Sequence, residues 1–409
     1  MTPIALFVLA ALVAEYLLHR TADALNLSSL SPKIPSAFAD VIDAEAYAKS
    51  QEYTRAKTRF AWVPATFSLI VTLAFWFAGG FEWTDELVRG WGYGPLVTGL
   101  LYIGLLCAAS TLISLPFSAY STFVIEERFG FNRTTVATFI ADLLKGVLVG
   151  VLLGGPLLAA ILWFFQETGN NAWWIAWVVA ASFVVAIQFV APAWIMPLFY
   201  KFESLEAGEL KDAMLGYAGK VGFGMDDVYV IDGSRRSAKA NAFFTGIGAK
   251  RRVALYDTLI EKHTTDELVA VVAHEIGHFK CGHIVKGMIL SILQMGVVFF
   301  CLGIAIRTPE LFEAFGVTRP SVWVGLVLFS LLWAPLSLGL SILMTAFSRK
   351  NEFEADAFAR KTLGDGEVLA KALEKLSVDS LSNLTPHPFY VRLHYSHPPL
   401  SERLAALRA

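Results

Sequence analysis

Seven apolar runs, each near the length of a bilayer crossing, restrict this chain more than anything else in it: Pro3 to Leu18, Phe60 to Gly79, Leu96 to Phe117, Leu143 to Phe165, Ala172 to Leu198, Val285 to Ile306 and Ser321 to Phe347. Within hydrocarbon every backbone N–H and C=O must be satisfied inside the protein, so runs of this kind fold as helices. With 56% hydrophobic and only 17% charged residues, the 409-residue chain is too apolar for an ordinary soluble protein. The expected fold is a mainly α polytopic membrane protein with seven transmembrane helices. The first run is short and carries Glu15; lacking a basic leader and an A-x-A cleavage site, it reads as a retained anchor rather than a removed signal. The net charge of −2 and the absence of any long basic run argue against nucleic acid as a partner. Cys107, Cys281 and Cys301 are an odd, scattered set that implies no disulfide framework.

Charge in the connections sets the orientation. The segment after the first run holds Arg20, Lys33, Lys49, Arg55, Lys57 and Arg59, whereas the next connection holds only Arg89. Arg128 and Arg133 follow on the third connection, residues 166–171 carry no lysine or arginine, and the insertion from Tyr200 to Ile284 is rich in both. This alternation predicts an N-terminus outside and a C-terminus in the cytoplasm. Pro192 and Pro197 predict a break near the end of the fifth span.

Within the insertion, the stretch V-V-A-H-E-I-G-H places His274 and His278 four residues apart with Glu275 between them. On a helix that spacing stacks both imidazoles on one face, where they can share a metal ion with the glutamate beside it, the zincin pattern. Thr264 and Glu267 predict a capping box, Leu268 to Val272 supplies the apolar run, and Gly282 offers a stop. A catalytic zinc wants three protein ligands and an open position, so a third ligand is needed. Downstream, N-E-F-E-A-D sets Glu352 and Asp356 on one helical face. Glu352 is the expected third ligand to a single zinc ion, and Asp356, one turn on, is placed to accept the second ring N–H of His274. Glu354 points elsewhere. A solvated acidic face is the plain alternative for these carboxylates. His283 is rejected as a ligand, because a third histidine belongs in H-E-x-x-H-x-x-G-x-x-H; here Cys281 stands for the glycine and the spacing is one short.

H-E-I-G-H followed by E-F-E-A-D resembles the integral-membrane gluzincins of the type I CAAX prenyl protease family. E-E-R-F-G-F-N-R-T-T (Glu126 to Thr135), N-A-F-F (Asn241 to Phe244) and Y-S-H-P-P-L-S-E-R-L (Tyr395 to Leu404) are similar to that family's pattern, over nearly the whole chain. The residue pattern reads the insertion as a compact soluble α+β unit with short strands at Asp227 to Asp232, Asn241 to Gly248 and Arg252 to Asp257, and the resemblance implies that this unit is a zincin-like metallopeptidase domain. The resemblance favours Asn241, Ala242, Phe243 and Phe244 as an edge strand that binds substrate by backbone pairing, over a purely structural strand. It also makes His397 the donor to the oxyanion, where spacing alone suggests a residue of a tight turn. Ser110, Thr111, Ser114, Ser118, Tyr120, Ser337 and Ser341 read as helix-packing residues, and the resemblance adds a water-filled chamber among the helices.

The expected division is 1–199 as a membrane region of five spans, 200–284 as the soluble zincin-like domain, 285–347 as two further spans, and 348–409 as the C-terminal part of the catalytic domain. The expected activity is hydrolysis of peptide bonds, with Glu275 as general base and a peptide substrate, prenylated at its C-terminus as the resemblance implies. Alanine-rich spans and the ending Leu407-Arg408-Ala409, which is no dilysine signal, favour a bacterial inner membrane over the endoplasmic reticulum, with the site on the cytoplasmic side. Two alternatives stand: a membrane quality-control protease with the same motif, which would have about four spans, and a channel or transporter with a structural zinc, which would have no use for Glu275.

Overall fold

A computed structural model of the chain describes residues 1–245 and 252–409. Among the described residues are seven helices long and apolar enough to cross a membrane: Pro3–Ser28, Ala44–Phe77, Pro95–Glu126, Val136–Glu167, Gly169–Leu198, His283–Ala305 and Val322–Leu363. Several outrun their apolar cores. The second is capped by Asp43, whose carboxylate accepts from Ala46 N at 2.7 Å, and its first half carries Lys49, Arg55, Lys57 and Arg59. The fifth loses regular geometry at Ala191–Ile195, around Pro192, as its prolines predict.

The last outruns its apolar core by as much as the second. Ser321 to Phe347 forms only the first part of a 42-residue helix that ends at Gly364, whose φ is 87°. The stretch S-R-K-N-E-F-E-A-D-A-F-A-R-K-T-L contains no glycine or proline and is rich in helix formers, so nothing stops the helix where the apolar run ends. One rigid element thus spans the membrane and carries Glu352 and Asp356 beyond it.

The third, fourth, fifth, sixth and seventh spans touch in succession and the seventh meets the third again, while the first touches the seventh and the second, and the second touches the end of the third. At the end away from the soluble domain, Tyr102, Leu162, Phe299, Trp323 and Phe329 pack into a closed apolar core. Nearer the soluble domain the helices part. Residues 107–114 of the third span are all exposed, more than two full turns, so that helix is bare on every side and faces an open interior on one of them.

The soluble part holds a four-stranded sheet of order β1-β2-β4-β3, with β1 Phe202–Ser204, β2 Asp227–Ile231, β3 Ala242–Thr245 and β4 Arg252–Tyr256. β2 and β4 run parallel, and the outer strands pair antiparallel. β2, β3 and β4 lie where the residue pattern placed strands, although residues 246–248 of the strand expected at Asn241 to Gly248 are outside the described residues; β1 carries too short a pattern to be read. Below the sheet a core of Met214, Val228, Leu255, Leu268, Val272, Ile276 and Leu404 also takes in Phe38, Ile42 and Tyr47, from the connection after the first span and the start of the second.

Thr265–Lys280, the motif helix, starts on the capping box: Thr264 Oγ1 accepts from Glu267 N at 3.3 Å, and Glu267 Oε2 accepts from Thr264 N at 2.9 Å. Cys281 and Gly282, the latter at φ 71°, then turn the chain directly into the sixth span. The motif helix lies against the last helix so closely that a Cβ on Gly277 would stand 3.0 Å from both Cα and O of Ala355. Gly277→Ala gains up to about 1 kcal/mol of helix propensity, yet it pushes two backbones apart. The expected result is a lower melting temperature and weaker metal binding; a variant that melts higher and binds metal normally would show that the approach is not tight.

Candidate metal centre

His274 and His278 present their rings on the face of the motif helix that meets Glu352 on the last helix. Their Nε2 atoms are 3.2 Å apart, and the Glu352 carboxylate oxygens stand 3.4 Å from His274 Nε2 and 3.2 Å from His278 Nε2. The three donor atoms lie within 4.8 Å of one another. Two imidazole nitrogens and a carboxylate converging in this way suit a divalent ion with a position left open. The residues present therefore fit a bound metal.

Charge points the same way. Glu275, Glu352 and Asp356 are three carboxylates in a site whose main fixed cation is Arg403, at 8% exposure. Burial works against a charged His274, but Asp356 and Glu352 outweigh it and push its pKa up to about 9. Burial likewise holds the Glu275 carboxyl above the usual carboxylate range. A cation among the donors would relieve this excess of negative charge.

Around the three donors lie partners that fix their rings. His274 Nδ1 is 2.8 Å from Asp356 Oδ1, as the one-turn spacing predicts. Asp356 is itself gripped by Arg403 through two bonds, Nε to Oδ2 at 2.8 Å and Nη2 to Oδ1 at 2.6 Å, while Nη1 of the same guanidinium is 3.4 Å from Glu352. His278 Nδ1 is 3.0 Å from His283 Nδ1, and His283 Nε2 is 3.0 Å from Glu354 Oε2. His397 Nδ1 is 2.9 Å from Glu352 Oε2, with the side chain 64% exposed.

Motif spacing singles out neither Arg403 nor the His283–Glu354 pair. A signal existed for the first: Arg403 interrupts an apolar stripe of Leu400, Leu404 and Leu407 on the helix Leu400–Arg408, and a charge on a buried face needs a partner. For the second, the zincin spacing excludes His283 from the metal and says nothing of a role behind it.

β3 packs against the motif helix and, among the described residues, pairs only with β4, so it forms a sheet edge. Asn241 is exposed and its carbonyl accepts from Tyr256 N at 3.0 Å; Ala242 and Phe243 are half-buried, and Phe244 pairs by its backbone with Val253.

Residues 24–201 match the family model described as CAAX prenyl protease N-terminal, five membrane helices, and residues 204–409 match peptidase family M48. The chain is 37% identical to CAAX prenyl protease 1 of Saccharomyces cerevisiae, with 92% of this chain and 88% of that one covered. It is 35% identical to the Arabidopsis thaliana CAAX prenyl protease 1 homolog, covering 97% and 95%, and 31% identical to the human one, covering 92% and 88%. The crystal structure of S. mikatae Ste24p aligns over 100% of both chains with a TM-score of 0.95 and 34% identity.

Removing Arg403 takes two hydrogen bonds from Asp356 and leaves its buried charge to His274 alone, a loss of up to about 3–5 kcal/mol. Arg403→Met should therefore lower the melting temperature markedly and weaken metal binding through His274. An unchanged melting temperature would mean that Asp356 is neutralised by another group.

Proposed function

Because the chain belongs to peptidase family M48, in the branch that carries the five-helix CAAX prenyl protease N-terminal region, we propose that it is a membrane zinc endopeptidase cleaving proteins near a prenylated C-terminus. The observation that carries this reading is the convergence of His274, His278 and Glu352 beside Glu275. Those three side chains would hold a zinc ion, which when bound would supply a water of lowered pKa and polarise the scissile carbonyl. Glu275 takes the proton of the attacking water and passes it to the leaving amine. Asp356 accepts the Nδ1–H of His274, and the His283–Glu354 pair does the same for His278, so each ring keeps Nε2 free for the metal. β3 holds the peptide by backbone pairing at its open edge, with Asn241 at its head. His397, exposed beside Glu352, donates to the oxyanion as it forms.

Lys and Arg distribution supports a cytoplasmic site, and the alanine-rich spans support a bacterial inner membrane as its setting. The open interior between the spans supports a place for the lipid of the substrate within reach of the soluble domain. A four-span quality-control protease does not describe a chain with seven spans, and a non-enzymatic channel does not describe an M48 peptidase.

Two variants test the roles. Glu275→Gln should keep stoichiometric zinc and lose cleavage of a farnesylated CAAX peptide by several orders of magnitude; a zinc-loaded variant with ordinary turnover would remove Glu275 from the reaction. His397→Ala should leave zinc content and melting temperature intact and lower kcat by about 10² to 10³ with little change in KM. A normal kcat with a lowered melting temperature would return His397 to a structural turn.

A further inference from the structure

Behind the catalytic ligands sits a second cluster with metal-binding chemistry. Cys281 closes the motif helix, His283 opens the sixth span and Glu354 lies on the last helix; one ligand atom from each lies within 4.8 Å of the others. His283 is buried at 5% exposure with its Nε2 3.0 Å from Glu354 Oε2, while Cys281 is partly exposed and a free thiol. Lys350 Nζ is 3.8 Å from the other Glu354 oxygen, so Oε2 faces His283 rather than the lysine. A thiolate, an imidazole and a carboxylate form a set that zinc and the softer divalent ions bind, with a fourth position for water. We propose that Cys281, His283 and Glu354 form a second metal site, and that a metal there inhibits the enzyme through His278.

Proton bookkeeping on the two histidines carries the second half. When His278 binds the catalytic metal through Nε2, its hydrogen sits on Nδ1, 3.0 Å from His283 Nδ1. His283 Nδ1 must then be the acceptor, so its hydrogen sits on Nε2 and is donated to Glu354. A metal entering the second site takes His283 Nε2 and Glu354 Oε2, and Cys281 binds as thiolate, its proton going to solvent. The imidazole, still neutral, now carries its hydrogen on Nδ1. Two N–H groups then face each other where a hydrogen bond had been, and His278 loses the partner that holds its ring. The two sites therefore oppose each other.

The inference rests on the catalytic reading for its inhibitory half and on its own donors for its binding half. The test uses full-length enzyme in detergent, loaded with one equivalent of zinc, and compares wild type with Cys281→Ala. Cadmium is titrated while binding stoichiometry, the ultraviolet thiolate-to-cadmium charge-transfer band and cleavage rate are followed. Wild type should take a second equivalent with appearance of the band and lose at least about tenfold in rate, within the span typical of a lost outer partner. Cys281→Ala, unchanged in basal rate, should show no band and resist inhibition at that concentration. A wild type that stays at one equivalent without the band overturns the site. A Cys281→Ala enzyme inhibited as strongly as wild type overturns the mechanism, since excess metal would then act elsewhere. Failure of the catalytic reading is distinct, because zinc-loaded wild type would not cleave before any cadmium is added.

Discussion

Two backbones meet at Gly277 and Ala355 so closely that a Cβ on the glycine would stand 3.0 Å from the Ala355 Cα and O, and the candidate metal centre depends on that meeting. His274 and His278 ride on one helix and Glu352 on the other, so the distance between the helix axes sets the distance between ligands. Metal–ligand bonds of about 2.0–2.2 Å tolerate little error, and the few tenths of an ångström by which a Cβ on Gly277 would push its neighbour are comparable to it. The rest of the soluble core works to hold this register. The capping box starts the motif helix, Leu268, Val272 and Ile276 bury its opposite face, and the turn at Gly282 ties its end to the sixth span. The partner helix is anchored by its own passage through the membrane.

That geometry concentrates negative charge. Glu275, Glu352 and Asp356 approach one another in a buried site, and the Arg403 guanidinium reaches two of them. Burial works against these charges, but without metal the Arg403 guanidinium and a protonated His274 balance them and hold the Glu352 and Asp356 carboxyls below the usual carboxylate range. A divalent cation would take over that role from His274 and add its own binding free energy to folding. Binding free energy and folding free energy are therefore linked, and the bidentate grip of Arg403 on Asp356 keeps the site assembled for the metal.

Much of this is legible in the residues because the chemistry needs fixed spacings. His274 and His278 at i and i+4, and Glu352 and Asp356 at the same interval, define helix faces by periodicity alone. The seven spans are legible because hydrocarbon leaves a chain few choices, though their ends are not: hydropathy marks where lipid stops, whereas the last helix stops at Gly364. Glu354 shows where periodicity runs out. Helical spacing turns it away from the catalytic ligands, which is where it lies, but its partner His283 reaches it across a turn and between two helices. Contacts of that kind, Arg403 among them, depend on tertiary approach rather than on a period within one segment.

The motif E-E-R-F-G-F-N-R-T-T finds its reason in the same tertiary terms. It forms the connection between the third and fourth spans, yet it pairs with the segment that leads into β3: Arg133 N donates to Arg236 O and Ala238 N to Phe131 O, each at 3.0 Å. Asp142, on the fourth span, takes Arg236 by two bonds at 2.7 and 2.9 Å. Lys239 donates to Glu126 at 2.8 Å and to the Tyr53 hydroxyl at 2.7 Å, with its ammonium 4.4 Å from the Phe131 ring. A lone, partly exposed ion pair contributes under about 1 kcal/mol, but here ion pairs, backbone bonds and a cation over an aromatic face act together on one short segment. The strand proposed to hold the peptide is thus positioned by the membrane helices as much as by its own sheet. A peptide laid along β3 would be fixed relative to the open interior between the spans, so one rigid framework would set the distance between the lipid of the proposed prenylated substrate and the bond to be cut.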